Sequence, residues 1–417
     1  MRRNCIRLRR LRREHRGGGL IAAPARRHVD TGDPRPRPDE EIFVEGRHGH
    51  QYHGKALIKS HSTVAGMVAG SKRARGGSGR VKLEEVARKA NVSTATVSRA
   101  FNEPGKVSEE VRQRVKDAAR ALNWIPNAAG RALASRRTHI AGAIIPTLDN
   151  EIFARQITGM QTVFSERGFT LFLGCSNYDP NEGLRQADAM LARGVEALAV
   201  VGEDHPPELF DALNSRRIPY VVTYSYNKLS QHPCIGFDNR AAFNRITSHL
   251  LSLGHRRFAA IFQPDTNNDR VRERLCGIRD ALAAAGLEIP ARDLMMGPST
   301  LEFGAESFAS LMTRTGEARP TAIVCGNDNL ALGALMAARE CGLEAPRDFS
   351  ITGFDDLAIS SRFSPKLTTM KVDNQQIGIL AANELLAVIA GEQGQAQSRE
   401  IVPDLKIRES AGQARGR

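Results

Sequence analysis

The chain has 417 residues, 41% of them hydrophobic, so more than one folded unit with its own core is expected. No run approaches the ~20 consecutive apolar residues of a membrane helix, so no membrane partner is expected. The formal net charge of +13 is unevenly spread: residues 1–80 hold 19 Lys/Arg against 7 Asp/Glu, residues 81–138 hold 12 against 6, and residues 139–417 hold 28 against 33. A basic module on a mildly acidic body points to a polyanion partner for the module alone.

Residues 1–80 are rich in Arg, Gly, Pro and His, show no sustained apolar period and read as a disordered basic lead. Two readings compete. One is a nucleic-acid-binding arm. The other, which the composition favours, is an over-extended gene start, with Met67 as a plausible true beginning. No apolar h-region follows MRRNCIRLRRLRREHR, which argues against a secretory signal. His48, His50, His53 and His61 lack neighbouring cysteines and regular spacing, so no metal is expected. The six cysteines (Cys5, Cys175, Cys234, Cys276, Cys325 and Cys341) form no C-x-x-C pair and suit small buried hydrophobes in a reducing cytoplasm.

Residues 81–126 have a helical pattern. Leu83, Val86, Ala87 and Ala90 share one face, Asn91 suits the left-handed end of a helix, and Ser93 suits the cap of the next. Val97 and Phe101 point back to a core. A third helix is expected after Ser108, with Glu109 and Glu110 at its positive end and Trp124 closing the unit. Two short helices joined by a tight turn form a helix-turn-helix, whose second helix enters the DNA major groove. That groove, ~12 Å wide, takes small residues and hydroxyls. Thr94, Ala95 and Arg99 are therefore candidates for base readout. Ser93, Thr96, Ser98, Asn102 and Asn127 are candidates for the phosphate backbone. The alternative is a three-helix domain with a hydroxyl-rich solvent face.

From residue 139 the texture changes. Apolar runs (HIAGAIIP, FTLFLGCS, ALAVVG, PYVVTY, FAAIFQ, AIVCGN, FSITGFDD) alternate with helical segments such as 153–167, 182–193, 239–253, 271–285, 328–341 and 374–390. This predicts parallel sheets covered on both faces. The length, about 270 residues, predicts two lobes. Ligands of such sheets bind at the carboxyl ends of the strands.

VKLEEVARKANVSTATVSRAFN, VSEEVRQRVKDAARALNWIPNAAGRALAS, GHRRFAAI, RPTAIVCGNDNLALGAL and FSITGFDD together resemble the LacI/GalR-type transcriptional repressors. The resemblance covers residues 81 to about 410. It implies an all-α headpiece (81–126), a hinge helix and linker (127–138) and a two-lobed α/β body like periplasmic sugar-binding proteins (139–410), followed by a short tail (411–417). Lobe one is expected over about 139–238 and 346–372, lobe two over about 239–345 and 373–410. The resemblance also implies a homodimer on a roughly palindromic double-stranded operator, and Leu133, between Arg131 and Arg136, as a wedge in the minor groove. Packing of Leu133 on the headpiece is the alternative. No leucine-heptad tail follows, so a dimer is expected.

The resemblance further implies a small effector in the cleft between the lobes. Phe153 would stack on its apolar face, Arg274 would bind its oxygens or a carboxylate, and Asp328 would accept its hydroxyl hydrogens. Arg270 and Asp149 or Asn150 are weaker candidates. The alternatives are a surface ion pair of Arg274 with Glu273 or Asp280, and a helix-capping role for Asp328. Asp, Arg and a ring together suit a polyhydroxylated ligand. IPTLDNEIFARQITGM and IGFDN look especially like the gluconate-type repressors, and Arg270 with Arg274 suits a sugar acid. The rivals are control by a protein co-effector or a non-sugar metabolite, a periplasmic solute-binding protein, and an enzyme. The second rival leaves the headpiece unexplained. The third lacks G-x-x-x-x-G-K-[ST], H-E-x-x-H and G-x-S-x-G. No cofactor is expected.

Overall fold

The computed structural model describes residues 81–126 and 137–414. Residues 81–125 and the residues from 137 onward belong to separate compact units.

The first unit has three helices, α1 (Leu83–Ala90), α2 (Thr94–Asn102) and α3 (Glu109–Ala121). Local chemistry sets their ends. The Lys82 N–H donates to Glu85 Oε1 at 3.0 Å before α1. Asn91 adopts φ 51° and ψ 51° after it, a conformation Asn tolerates. Ser93 Oγ then accepts the Thr96 N–H at 3.1 Å and caps α2. The helices close on Val86, Val97 and Val115, all fully buried, each contributing about 1.5–3 kcal/mol by leaving water. Phe101 and Trp124 pack with ring centroids 5.5 Å apart.

The second unit holds two six-stranded sheets. The first lobe orders its strands β11-β5-β4-β3-β1-β2: β1 Ile140–Ile145, β2 Thr170–Cys175, β3 Ala197–Val201, β4 Tyr220–Thr223, β5 Cys234–Gly236 and β11 Arg399–Glu400. All its pairings are parallel, with registers such as Ala141↔Ala197. The second lobe orders β12-β10-β9-β8-β6-β7: β6 Phe258–Phe262, β7 Leu294–Met296, β8 Ala322–Cys325, β9 Ser350–Asp355, β10 Thr368–Lys371 and β12 Asp404–Lys406. Only β12 there runs antiparallel to its neighbour. Strands β3, β6 and β8 are buried along their whole length, as parallel strands covered on both faces must be.

The covering helices are α4 (Glu151–Glu166), α5 (Pro180–Ala192), α6 (Pro207–Ser215), α7 (Asn239–Ser252), α8 (Asp269–Ala284), α9 (Leu301–Met312), α10 (Asp328–Glu340) and α11 (Asn374–Ala390). Several begin two residues before the apolar period does. Asn150 Oδ1 accepts the Ile152 N–H, and Asp179 Oδ1 accepts the Asn181 N–H, so a polar cap rather than an apolar face sets the start. Glycines let helices cross closely: a Cβ on Gly378 of α11 would lie 2.0 Å from the Gln156 carbonyl oxygen of α4.

The expected division of the lobes is corrected at the C-terminal side. Residues 346–372 do not return to lobe one, because β9 and β10 pair beside β8 in the second sheet. Residues 373–410 are likewise not all in lobe two, since α11 packs on α4 and β11 pairs with β5, and only β12 rejoins the second sheet. The chain thus crosses between lobes three times, near residues 237–238, 372–373 and 401–403. A parallel strand needs a neighbour of the right register, and the periodicity of a run does not name that neighbour.

Candidate functional site

On the headpiece, α2 buries Val97 and Ala100 and leaves Thr94, Ala95, Ser98, Arg99 and Asn102 exposed, with Thr96 half-buried. The 3.6-residue period thus puts these candidates on a face away from the core. Three of the hydroxyls also work locally. Ser93 Oγ, besides capping the helix, lies 2.9 Å from Thr96 Oγ1. The Asn102 side-chain NH2 donates to Ser98 Oγ at 3.1 Å. Among the described residues no carboxylate pairs with Arg99 within 4 Å, so its guanidinium fork is available. Asn127 and Leu133 lie outside the described residues, as do Gly130, Arg131 and Arg136.

In the body, the candidate residues gather where the parallel strands end. Asn150 and Phe153 follow β1, Arg270 and Arg274 follow β6, and Asp328 follows β8. Sequence reasoning missed further polar residues at the same level: Tyr178 after β2, Tyr224 after β4, Asn239 after β5 and Asp355 at the end of β9. The carboxyl-end rule was the signal that could have found them.

Arg274 is 6% exposed and forms no surface ion pair. Asp280, one of the two partners in that alternative, instead takes Arg240 in a bidentate pair with Nε–Oδ2 at 2.6 Å. Arg274 Nε donates to Asn239 Oδ1 at 2.8 Å and Nη1 to the Gly326 carbonyl at 2.9 Å. Its guanidinium lies 4.4 Å from the Phe354 ring centroid and 5.3 Å from that of Phe243. Burial lowers its pKa to about 10, which still leaves it charged at neutral pH. Arg270, 7% exposed, donates from Nη1 to Asp269 Oδ1 at 2.9 Å. Gly202 makes room for it, since a Cβ there would lie 1.7 Å from that Nη1.

Asp328 is fully buried and does not cap α10; Asn327 does, accepting the Leu330 N–H at 3.1 Å. The Asp328 carboxylate accepts three protein donors: the Leu357 N–H at 2.8 Å, the Ser360 hydroxyl at 2.6 Å and the Thr369 hydroxyl at 2.6 Å. About one of its ~4 lone-pair positions is left for anything else. Burial raises its pKa to about 6, against the pull of those donors. Phe153 is 3% exposed, with its ring edge-on to Tyr224 at 5.1 Å. Tyr224 in turn donates its hydroxyl to the Ile152 carbonyl at 2.7 Å. The ring expected to stack on a ligand is thus part of the wall behind it.

Asp355 stands out. It is 5% exposed, and Oδ1 has no hydrogen-bond partner among the described residues. Its backbone is left-handed at φ 107°, as is that of Asp356 at φ 55°. Such strain persists only where the surroundings impose it. Here Asp328 holds Leu357 and Ser360, while Arg408 Nη2 holds Asp356 Oδ1 at 2.6 Å. Burial, opposed by the charge of Arg274, pushes the Asp355 carboxyl up to about 8. Gln263 Oε1 and Asn268 Oδ1 are further buried acceptors without a partner among the described residues.

The two lobes touch across this cleft. Asp204, after β3, takes a bidentate pair from Arg272 of α8 at 2.6 and 2.7 Å, and the Glu203 N–H donates to Asp269 Oδ2 at 3.1 Å. The cavity bounded by Ser176, Tyr178, Asp204, His205, Asn267 and Arg270 has about 10 Å³ of free volume, room for roughly one water molecule. Among the described residues no helix is long and apolar enough to cross a membrane.

Residues 82–127 match the model of bacterial regulatory proteins of the lacI family, and residues 247–411 match the periplasmic binding protein-like domain. The HTH-type transcriptional regulator GntR of Pseudomonas aeruginosa is 32% identical over 333 residues, covering 80% of this chain and 96% of that protein. The HTH-type transcriptional repressor PurR of Klebsiella pneumoniae is 31% identical, covering 79% and 96%. The crystal structure of the lac repressor dimer bound to operator and the anti-inducer ONPF has a TM-score of 0.69 at 25% identity, covering 80% and 99%. These relatives are named regulators and repressors, not enzymes. With a helix-turn-helix headpiece, a two-lobed binding-protein body and relatives matched along nearly their full length, the chain belongs to the lacI family of DNA-binding transcriptional regulators.

Proposed function

We propose that the protein is a dimeric repressor whose operator affinity is set by a sugar acid held between the two lobes. One observation carries the effector class. Two buried guanidiniums, Arg270 and Arg274, stand at the carboxyl ends of the strands together with the unpaired acceptors Gln263 Oε1, Asn268 Oδ1 and Asp355 Oδ1. The guanidiniums suit a carboxylate, the acceptors suit the hydroxyls of a polyol, and the Phe153–Tyr224 wall suits its apolar face. Asp328 supports the turn that presents Asp355 and keeps about one acceptor position of its own. The Asp204–Arg272 pair and the Glu203–Asp269 bond hold the lobes together beside these residues, and the lobes part and close again around the ligand.

At the DNA end, Thr94, Ala95 and Arg99 read bases, while Ser93, Thr96, Ser98, Asn102 and Asn127 contact the backbone of a roughly palindromic operator. Leu133 wedges into the minor groove. The operator-bound dimer of the lac repressor supports this arrangement. Ligand acts by shifting the balance between lobe arrangements that bind operator well and poorly. The coupling is reciprocal: a ligand that weakens operator binding is itself bound more weakly by the operator complex.

The test has two steps. Full-length protein selects its operator from a random double-stranded library. Calorimetry then titrates it with D-gluconate, neutral hexoses and purine bases, and gel shifts follow operator affinity. Binding of a sugar acid with a change in operator affinity supports the reading. Binding of a neutral hexose or purine alone replaces the effector class. If no small molecule changes operator affinity, control passes to the alternative, a protein co-effector.

A further inference from the structure

A single carboxylate of the body gathers the chain that leads towards the headpiece. Glu196 lies just before β3, and its side chain is 15% exposed. Its Oε1 accepts the Thr138 N–H at 2.5 Å and the His139 N–H at 2.8 Å, with the Thr138 hydroxyl oxygen 3.2 Å away. Its Oε2 accepts Arg137 Nε at 2.7 Å. Three donors from three consecutive residues thus converge on one side chain 57 to 59 positions away in sequence.

The surroundings reinforce the grip. The Thr138 hydroxyl also donates to the Gly194 carbonyl at 2.5 Å. Gly194, at φ 78°, has no Cβ; one added there would lie 2.8 Å from Thr138 Cγ2. His139 is held left-handed at φ 55°, with its ring 5.0 Å from that of Phe169. The same segment then enters β1, whose Ile140 carbonyl accepts the Glu196 N–H at 2.8 Å. Glu196 therefore ties residues 137–139 to the start of two adjacent central strands, β1 and β3, of the first lobe.

We propose that Glu196 is a positioning residue for operator binding: it fixes the point and direction at which the chain leaves the body, without touching DNA itself. A regulator that couples its body to its headpiece through a linker needs a rigid end to that linker. Charge-assisted bonds from two backbone N–H groups and a guanidinium provide one.

The experiment uses the full chain and the operator that the wild-type protein selects from a random library, measured by gel shift across a salt series. Glu196→Ala is expected to weaken operator binding roughly tenfold or more, with an unchanged slope of log affinity against log salt, because the phosphate contacts are intact. The Thr138 and His139 amides are expected to exchange hydrogen faster. Glu196→Gln, which keeps the shape and removes the charge, is expected to lose several-fold, and it decides the matter if Glu196→Ala does not fold. Operator affinity within about twofold of wild type in whichever variant folds overturns the proposal.

Discussion

Replacing Asp355 by Asn makes the body more stable at neutral and alkaline pH, although it removes a buried charge-bearing group. Asp355 is buried, its Oδ1 is unpartnered among the described residues, and burial pushes its carboxyl from the ordinary value of 3.8 to about 8, with Arg274 pulling the other way and Asp328 and Glu151 adding to the rise. For an acid, an upward shift means that the folded state favours the protonated form. That contribution is complete below pH about 4 and is lost as pH rises through about 8. At ~1.4 kcal/mol per pH unit the loss reaches ~5 kcal/mol across that window. Asn does not titrate, matches the carboxyl in shape and tolerates a left-handed backbone.

D355N and wild type should therefore melt alike near pH 4 and diverge as pH rises, with D355N gaining up to ~5 kcal/mol by pH 8, or roughly 10 °C for a body of this size. Calorimetry from pH 4 to pH 9 on the full chain measures this. Trp124, the single tryptophan of the chain, lies in the headpiece, so its fluorescence follows headpiece unfolding separately. Parallel stability curves for the two proteins, or a D355N that falls below wild type at pH 8, would mean that Asp355 is ionised and paired with Arg274, and the reasoning fails.

Two further outcomes are expected. Arg99→Ala should cost about 1–3 kcal/mol of operator affinity and relax the base preference at one position of each half-site. Arg99→Lys keeps the charge but not the planar fork, so it should lose the preference with a smaller loss of affinity; a selection that recovers the same operator with R99K would count against base readout. Gly378→Ala should destabilise the body by about 3 kcal/mol or more, because its Cβ would meet the Gln156 carbonyl oxygen of α4 at 2.0 Å and the two helices would have to part. A thermal melt of G378A indistinguishable from wild type would refute that crossing.

The headpiece could be read from the sequence because nearly everything that shapes it is local. The cap at Ser93, the left-handed Asn91 and the apolar period of Val86, Val97 and Val115 all act within one or two helical turns or across short connections. The alternation of strands and helices in the body was legible for the same reason, since β1, β3, β4, β6 and β8 are apolar runs; β10, buried but with the sequence TTMK, was not. Short or edge strands were not: β11 and β12 have no fully buried residue and no apolar run, and β7, the apolar LMM, is only three residues long.

The sequence by itself determined the helix-turn-helix, the class of the body and the level at which a ligand site must lie, because helix caps, periodicity and strand ends are properties of neighbouring residues. Tertiary structure alone decided which strand joined which sheet, and so overturned the expected lobe boundaries. It also decided the work of individual polar groups. Asp328 and Asp355 are both aspartates next to strand ends, yet one is satisfied by three donors and the other keeps an oxygen unpartnered among the described residues, in a strained turn. Glu196 reads as one more surface carboxylate until Arg137, Thr138 and His139 are seen to converge on it. Hydrogen bonds over 29 to 59 positions of sequence have no local signature; they exist only once the sheets bring their partners together.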